Sequence, residues 1–197
     1  MNLHLRRHWI FDMDGTLTVA VHDFDAIRAE LGLAPKLPIL EQIAKLPEAR
    51  SRALLGRLDA IELALARQGS AAEGAHDLLE SLRDRGVRLG ILTRNSFANA
   101  QETLRACGLE PFFPPEHVIG REAAAPKPDP AGIRQLLALW GADPAQSVMV
   151  GDYRWDLLAG RAAGALTVYV DRAGAFPFAE HADVSVASLG ALRALLG

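Results

Sequence analysis

Between residues 74 and 170, short apolar runs alternate with stretches whose apolar positions recur every three or four residues, and glycine often stands between them. Ala75, Leu78, Leu79 and Leu82 share one helical face, which predicts a helix over 75–85 closed by Gly86. Val87, Leu89, Ile91 and Leu92 read as a buried strand. A second helix is predicted over 96–107, with Gly108 after it, and a short strand at 118–119. Asp129 and Pro130 pair a capping carboxylate with a first-turn proline, opening a helix that ends near Gly141. A strand over 147–150, a helix over 156–163 stopped by Gly164, and a strand over 166–170 continue the rhythm. Residues 8–11 supply the first strand, and the tail can add a strand at 184–186 and a closing helix at 188–196.

Strands separated by helices need crossover connections, so the sheet is mostly parallel. The fold class expected is α/β, a Rossmann-like parallel sheet with helices on both faces. Residues 18–72 break the rhythm. They hold no convincing strand, but Phe24, Ile27 and Leu31 form one helical stripe, and Leu54, Leu58, Ile61 and Leu65 another. The expected organisation is a core of 1–17 and 73–197 with a small all-helical cap, 18–72, inserted after the first strand.

Composition narrows the class. Of 197 residues, half are apolar and 23% charged, a globular balance with enough apolar material for a sizeable core. A net charge of -3 gives no electrostatic footprint for nucleic acid or an anionic membrane, so neither is expected as a partner. The single cysteine, Cys107, excludes an internal disulfide and a thiolate metal cluster. No apolar run approaches the ~20 residues of a membrane span, and the N-terminal apolar run is too short and acidic for a signal peptide. The expectation is a cytoplasmic protein, a monomer or weak homodimer.

The chemistry gathers where the predicted strands end. Asp12, Asp14 and Gly15 follow the first, Thr93, Arg94 and Asn95 follow the second, and Asp152 follows the strand at 147–150, with Asp156 four residues on. Lys127 lies between Pro126 and Pro128. Hydrolysis of a phosphate monoester needs a nucleophile, an acid for the leaving oxygen and positive charge around the phosphoryl group. A carboxylate nucleophile repels its dianionic substrate, so a hard cation such as magnesium must neutralise both.

These residues carry a resemblance. Phe11-Asp12-Met13-Asp14-Gly15-Thr16-Leu17-Thr18 resembles the first motif of the haloacid dehalogenase-like hydrolase superfamily, and Leu92-Thr93-Arg94-Asn95 its second. Lys127-Pro128-Asp129-Pro130 resembles the third, in the phosphoglycolate-phosphatase-like form, and the run from Gly151 to Asp156 the fourth. The resemblance implies that Asp12 is the nucleophile, forming an aspartyl-phosphate, and that Asp14 protonates the leaving alcohol and then deprotonates water. It implies that Thr93 and Lys127 hold the phosphoryl oxygens, with backbone N–H groups around Arg94 and Asn95 beside them. It also implies a Mg2+ ion on the Asp12 carboxylate, the Asp14 carbonyl and the Asp152 carboxylate, and that Asp156 orients Lys127 or a metal-bound water. The substrate implied is a small phosphorylated metabolite. Dehalogenases and phosphonatases of the superfamily lack the second aspartate of the first motif, so Asp14 argues against both. A phosphomutase, or a catalytically silent module on the same fold, is the alternative.

Two departures stand out. The aspartate and serine that often continue the first motif are replaced by Thr18, Val19 and Ala20, which counts against phosphoglycolate itself while leaving a phosphoglycolate-like ester or a sugar phosphate as the expected class, and Tyr153 stands where the fourth motif often has serine or threonine. Arg28, Lys36, Arg50 and Arg52 are candidates for a second anionic group on the substrate, and His22 for the pocket. Cys107 is expected to be buried and inert, and the tryptophans to pack, with Trp155 inside the fourth motif the one to watch.

Overall fold

A computed structural model describes residues 2–19 and 23–197; the His22 expectation lies outside them. Six parallel strands form one sheet in the order β3-β2-β1-β4-β5-β6. They are β1 (His8–Phe11), β2 (Arg88–Leu92), β3 (Val118–Ile119), β4 (Ser147–Gly151), β5 (Leu166–Val170) and β6 (Val184–Val186). The helices are α1 (Phe24–Leu31), α2 (Ile39–Ala44), α3 (Glu48–Ala66), α4 (Ala75–Asp84), α5 (Phe97–Ala106), α6 (Ala131–Trp140), α7 (Arg154–Ala163) and α8 (Leu189–Ala194).

Because side chains alternate along a strand, each buried strand feeds two cores. Trp9 and Phe11 face a cluster with Leu78, Leu104 and Leu192, from α4, α5 and α8. Ile10 faces the other way, onto Met149, Ile133, Leu136 and Ala159, with α6 and α7. Trp9, Ile10 and Phe11 are all fully buried, which explains why β1 shows a continuous apolar run rather than an alternation.

Every strand expected from the sequence is present. The differences are at ends and in one helix. Val87 belongs to a turn rather than to β2, because its N–H closes onto Leu82 O at 3.2 Å, while Gly86 takes φ +68°. Helix α6 begins at Ala131, so Pro130 is its cap residue and the Asp129 carboxylate accepts from the Ala131 N–H at 2.8 Å, one position further out than expected. Helix α7 begins two residues early, because the Asp156 carboxylate reaches back to the Tyr153 N–H at 3.0 Å.

Between β1 and α4, helices α1, α2 and α3 bury Ile27, Leu31, Ile39, Ile43, Leu54 and Leu58 against one another in a third cluster. Helix α2 escaped the sequence reading, since six residues are too few to show a period. The segments entering and leaving this insertion run antiparallel: Val19 N–H donates to Ser70 O at 3.0 Å and Ala72 N–H to Leu17 O at 2.8 Å. Helix α3 packs on α5 of the sheet layer. Among the described residues, no helix is long and apolar enough to cross a membrane.

Candidate active site

The chain moves from β1 to β2 and β3 on one side, then returns to β4, β5 and β6 on the other. Where strand order reverses, the loops after neighbouring strands part and leave a crevice at their carboxyl ends. Asp12 follows β1 and Asp152 follows β4, so the reversal brings together carboxylates 140 residues apart in sequence.

The loop after β1 is tightly wound. Met13 O accepts from the N–H groups of Thr16, Leu17 and Thr18 at 3.3, 2.9 and 3.0 Å. Gly15 turns the chain at φ +86°, and a Cβ there would overlap the Asp152 carboxylate, so this position needs glycine on both grounds. From the tail, Arg172 braces the loop by donating to Thr16 O at 2.9 Å.

Lys127, buried, is ion-paired with Asp12 and lies 2.6 Å from Asp156 Oδ1. Asp156 is thereby committed twice, to Lys127 through one oxygen and to the Tyr153 N–H through the other. Gly151 permits this, since a Cβ at 151 would overlap the Asp156 side chain. Carboxylate oxygens of Asp12, Asp152 and Asp156 lie within 4.8 Å of one another, a cluster that could hold a divalent cation. Burial, reinforced by the Asp156 and Asp152 carboxylates, pushes the Asp12 carboxyl well above its ordinary range, with Lys127 opposing. Burial and then Asp156 push Asp152 up to about 6, against Lys127 and the Thr16 hydroxyl. Burial disfavours the Lys127 cation, but Asp12 and Asp156 outweigh it and hold its pKa above the usual lysine value. Two buried carboxylates and the half-buried Asp152 beside one ammonium leave unbalanced negative charge, which is the condition a hard cation relieves.

Asp14 lines the same cavity, and its Oδ2 accepts from Asn95 Nδ2 at 2.8 Å. The Asn95 N–H, expected to face phosphoryl oxygens, is instead taken by the Thr93 hydroxyl at 3.1 Å. Arg94 turns away from the carboxylates to Glu41 of α2, at 2.5 Å. The sequence-predicted residues Asp12, Asp14, Thr93, Arg94, Asn95, Lys127, Asp152 and Asp156 nevertheless all line one cavity of about 560 Å³. Arg28 and Lys36 line it too, Arg28 already bonded to Asp25 and Leu37 O. Arg50 and Arg52 do not contribute; both are exposed, and Arg52 pairs with Glu48. Cys107 is buried, Trp9 and Trp140 pack in the two cores, and Trp155 reaches the cavity.

A second network escaped the sequence reading. Glu62 of α3 is 8% exposed, lines the same cavity, and accepts from Asn99 Nδ2 at 3.0 Å and Arg121 Nη1 at 2.9 Å. Arg121 also bonds Asp59, tying α3 to α5 and the loop after β3. Burial pushes Glu62 up to about 7 despite Arg121. No local pattern could reveal this, since its bonded partners are 37 to 62 positions apart.

The haloacid dehalogenase-like hydrolase family matches the chain over residues 7–164. A phosphoglycolate phosphatase from Rhodospirillum rubrum is 34% identical over 211 residues, covering 93% of this chain and 84% of that protein. An uncharacterized hydrolase from Saccharomyces cerevisiae is 29% identical over 199 residues, covering 95% and 89%. The fold matches that of a hydrolase from Pseudomonas syringae with a TM-score of 0.77 at 24% identity, covering 95% of this chain and 96% of that one. The match spans β1 to β4, the insertion and all four motifs that meet in the cavity, and on that ground the chain belongs to the haloacid dehalogenase-like hydrolases.

Proposed function

We propose that the protein is a magnesium-dependent phosphatase that hydrolyses a small phosphate monoester through an aspartyl-phosphate on Asp12, with residues 18–72 acting as a cap over the strand ends. The observation that carries this reading is the buried Asp12 at the strand-order reversal, with Lys127 paired to it, Asp152 beside it and Asp14, held by Asn95, lining the same cavity. Phosphatase-named relatives, the Rhodospirillum rubrum protein among them, support the reaction class.

The Asp12 and Asp152 carboxylates would hold the cation with the Asp14 carbonyl, since Asp156 is already spent on Lys127 and the Tyr153 N–H. When bound, Mg2+ screens the carboxylates from the substrate dianion and stabilises charge on the phosphoryl oxygens. The Asp12 carboxylate oxygen forms a bond to phosphorus as the ester P–O bond breaks, and Asp14 gives its proton to the departing alkoxide oxygen. Asp14, now ionised and held by Asn95, takes a proton from water as that water attacks phosphorus. The O–P bond to Asp12 breaks, phosphate leaves, and both aspartates return to their starting states. Lys127 and Thr93 steady the phosphoryl oxygens, and Asp156 fixes the Lys127 ammonium.

The test is phosphate release from a panel of monoesters, with Mg2+ and with excess EDTA, for wild type and Asp12→Asn. Turnover that needs Mg2+ and disappears in the variant is expected. Turnover retained in Asp12→Asn, or unaffected by EDTA, would overturn the proposal.

A further inference from the structure

Helix α3 buries one stripe, Leu54, Leu58, Glu62 and Ala66, at the four-residue spacing of a single face. A carboxyl group within that stripe is costly, and an apolar side chain would be the ordinary choice there. Tying α3 to the sheet layer does not require it. Arg121 already bonds Asp59 of the same helix, so the junction keeps an ion pair without Glu62.

The hydrogen bonds of Glu62 are one-sided. Asn99 Nδ2 and Arg121 Nη1 both donate to Oε2, at 3.0 and 2.9 Å. Oε1 has no hydrogen-bond partner among the described residues. Nor is it sealed away: among those residues, the buried side-chain atoms with neither a partner nor access to solvent are His8 Nδ1 and Gln101 Nε2. Glu62 is 8% exposed and lines the cavity, so Oε1 opens onto that space. The two donors hold the carboxyl group in one orientation, and a group held in advance loses little freedom when it binds.

Its place is beside the leaving group. Asn95, just before α5, holds Asp14, and Asn99, in the first turn of α5, holds Glu62. The proposed proton donor to the leaving oxygen and the free oxygen of Glu62 are thus held by the same end of one helix. A carboxylate also repels a phosphoryl dianion, so Oε1 meets the alcohol part of the ester.

The chemistry of Oε1 suits a hydroxyl. Burial pushes Glu62 up to about 7, so near neutral pH both of its forms are present. With Oε2 accepting twice, the proton of the neutral form is on Oε1. Oε1 is then a donor in one form and an acceptor in the other. A hydroxyl pairs with either form, whereas a carboxylate or an ammonium pairs with one alone.

We infer that Glu62 is a specificity-determining residue whose Oε1 receives a hydroxyl group carried by the alcohol of the substrate, a phosphate ester of a polyol. The inference rests on the phosphatase reading and deepens it by naming the residue that tells a hydroxylated alcohol from a plain one.

The experiment measures kcat/KM of the full chain with Mg2+, near neutral pH, for two matched pairs of primary esters: glycerol 3-phosphate with propyl phosphate, and ribitol 5-phosphate with pentyl phosphate. Each pair shares its carbon count, so its ratio reports the hydroxyls. In at least one pair the polyol ester should lead by about 10- to 100-fold. That ratio should fall about tenfold in Glu62→Met. In Glu62→Gln it should fall by about threefold, because the amide oxygen takes the Asn99 and Arg121 bonds and the NH2 group still donates to a hydroxyl. In Asp59→Asn, which weakens the junction and leaves Oε1 in place, the ratio should hold. A residue that only tied α3 to the sheet layer would lower every ester alike and move no ratio. Ratios near one in wild type, ratios unchanged in both Glu62 variants, or an equal fall in Asp59→Asn would each overturn the inference while leaving the phosphatase intact. No turnover of any ester would overturn the phosphatase reading, and this inference with it.

Discussion

Glu62→Gln separates burial from ion pairing at the junction between α3 and the sheet layer. Glu62 accepts from Asn99 and Arg121, yet burial dominates and lifts its carboxyl from 4.5 to about 7. The folded chain therefore keeps the Glu62 proton up to about pH 7, whereas the unfolded chain loses it near 4.5. Its contribution to stability is complete below pH 4.5 and is lost as pH rises through 7. At about 1.4 kcal/mol per unit, the loss is about 3.5 kcal/mol. Glutamine keeps the shape and the acceptor oxygen but carries no charge, so this pH dependence disappears in the variant. The melting temperature of Glu62→Gln, measured relative to wild type by calorimetry from pH 4 to 8.5, should rise by roughly 7–14 °C across that range. Titrations common to both proteins cancel in the difference. A flat difference, or one that falls with rising pH, would refute the reasoning and show that Arg121 outweighs burial.

Lys127→Met leaves Asp12 and Asp156 facing each other without their cation, so it should abolish phosphate release and cost about 3–5 kcal/mol at neutral pH. Adding Asp156→Asn should recover part of the melting temperature and none of the activity; an unchanged melting temperature in the single variant would contradict the compensation. Asp14→Ala should lower kcat for ethyl phosphate by about 10²–10⁴-fold, and much less for 4-nitrophenyl phosphate, whose phenolate leaves without a proton. Equal losses on the two esters would remove Asp14 from proton transfer.

Strand β1 was legible because burial on both faces writes an uninterrupted apolar run, Trp9, Ile10 and Phe11. The helices of the sheet layer were legible because one buried face recurs every three or four residues, with Gly86, Gly108, Gly141 and Gly164 marking where each ends. The site was legible as a set of strand-end residues, since parallel crossovers bring all such ends to one edge. Short α2 was not, nor was the end of a helix that a side chain from its own first turn extends, as Asp156 does for α7.

What the sequence determined alone is therefore local or periodic: the strands, the helical faces, the turn at Gly15 and the identity of the chemical groups. The tertiary structure decided what each group touches. It bonded Asp14 to Asn95 and turned the Arg94 guanidinium to Glu41. It committed Asp156 to Lys127 and closed Glu62, Asn99, Arg121 and Asp59 into one network. Those partners are brought together only by the folded sheet and the insertion packed on it, and the burial that shifts their proton affinities is a property of the whole fold. A charge in a sequence has no dielectric surroundings until the chain folds around it.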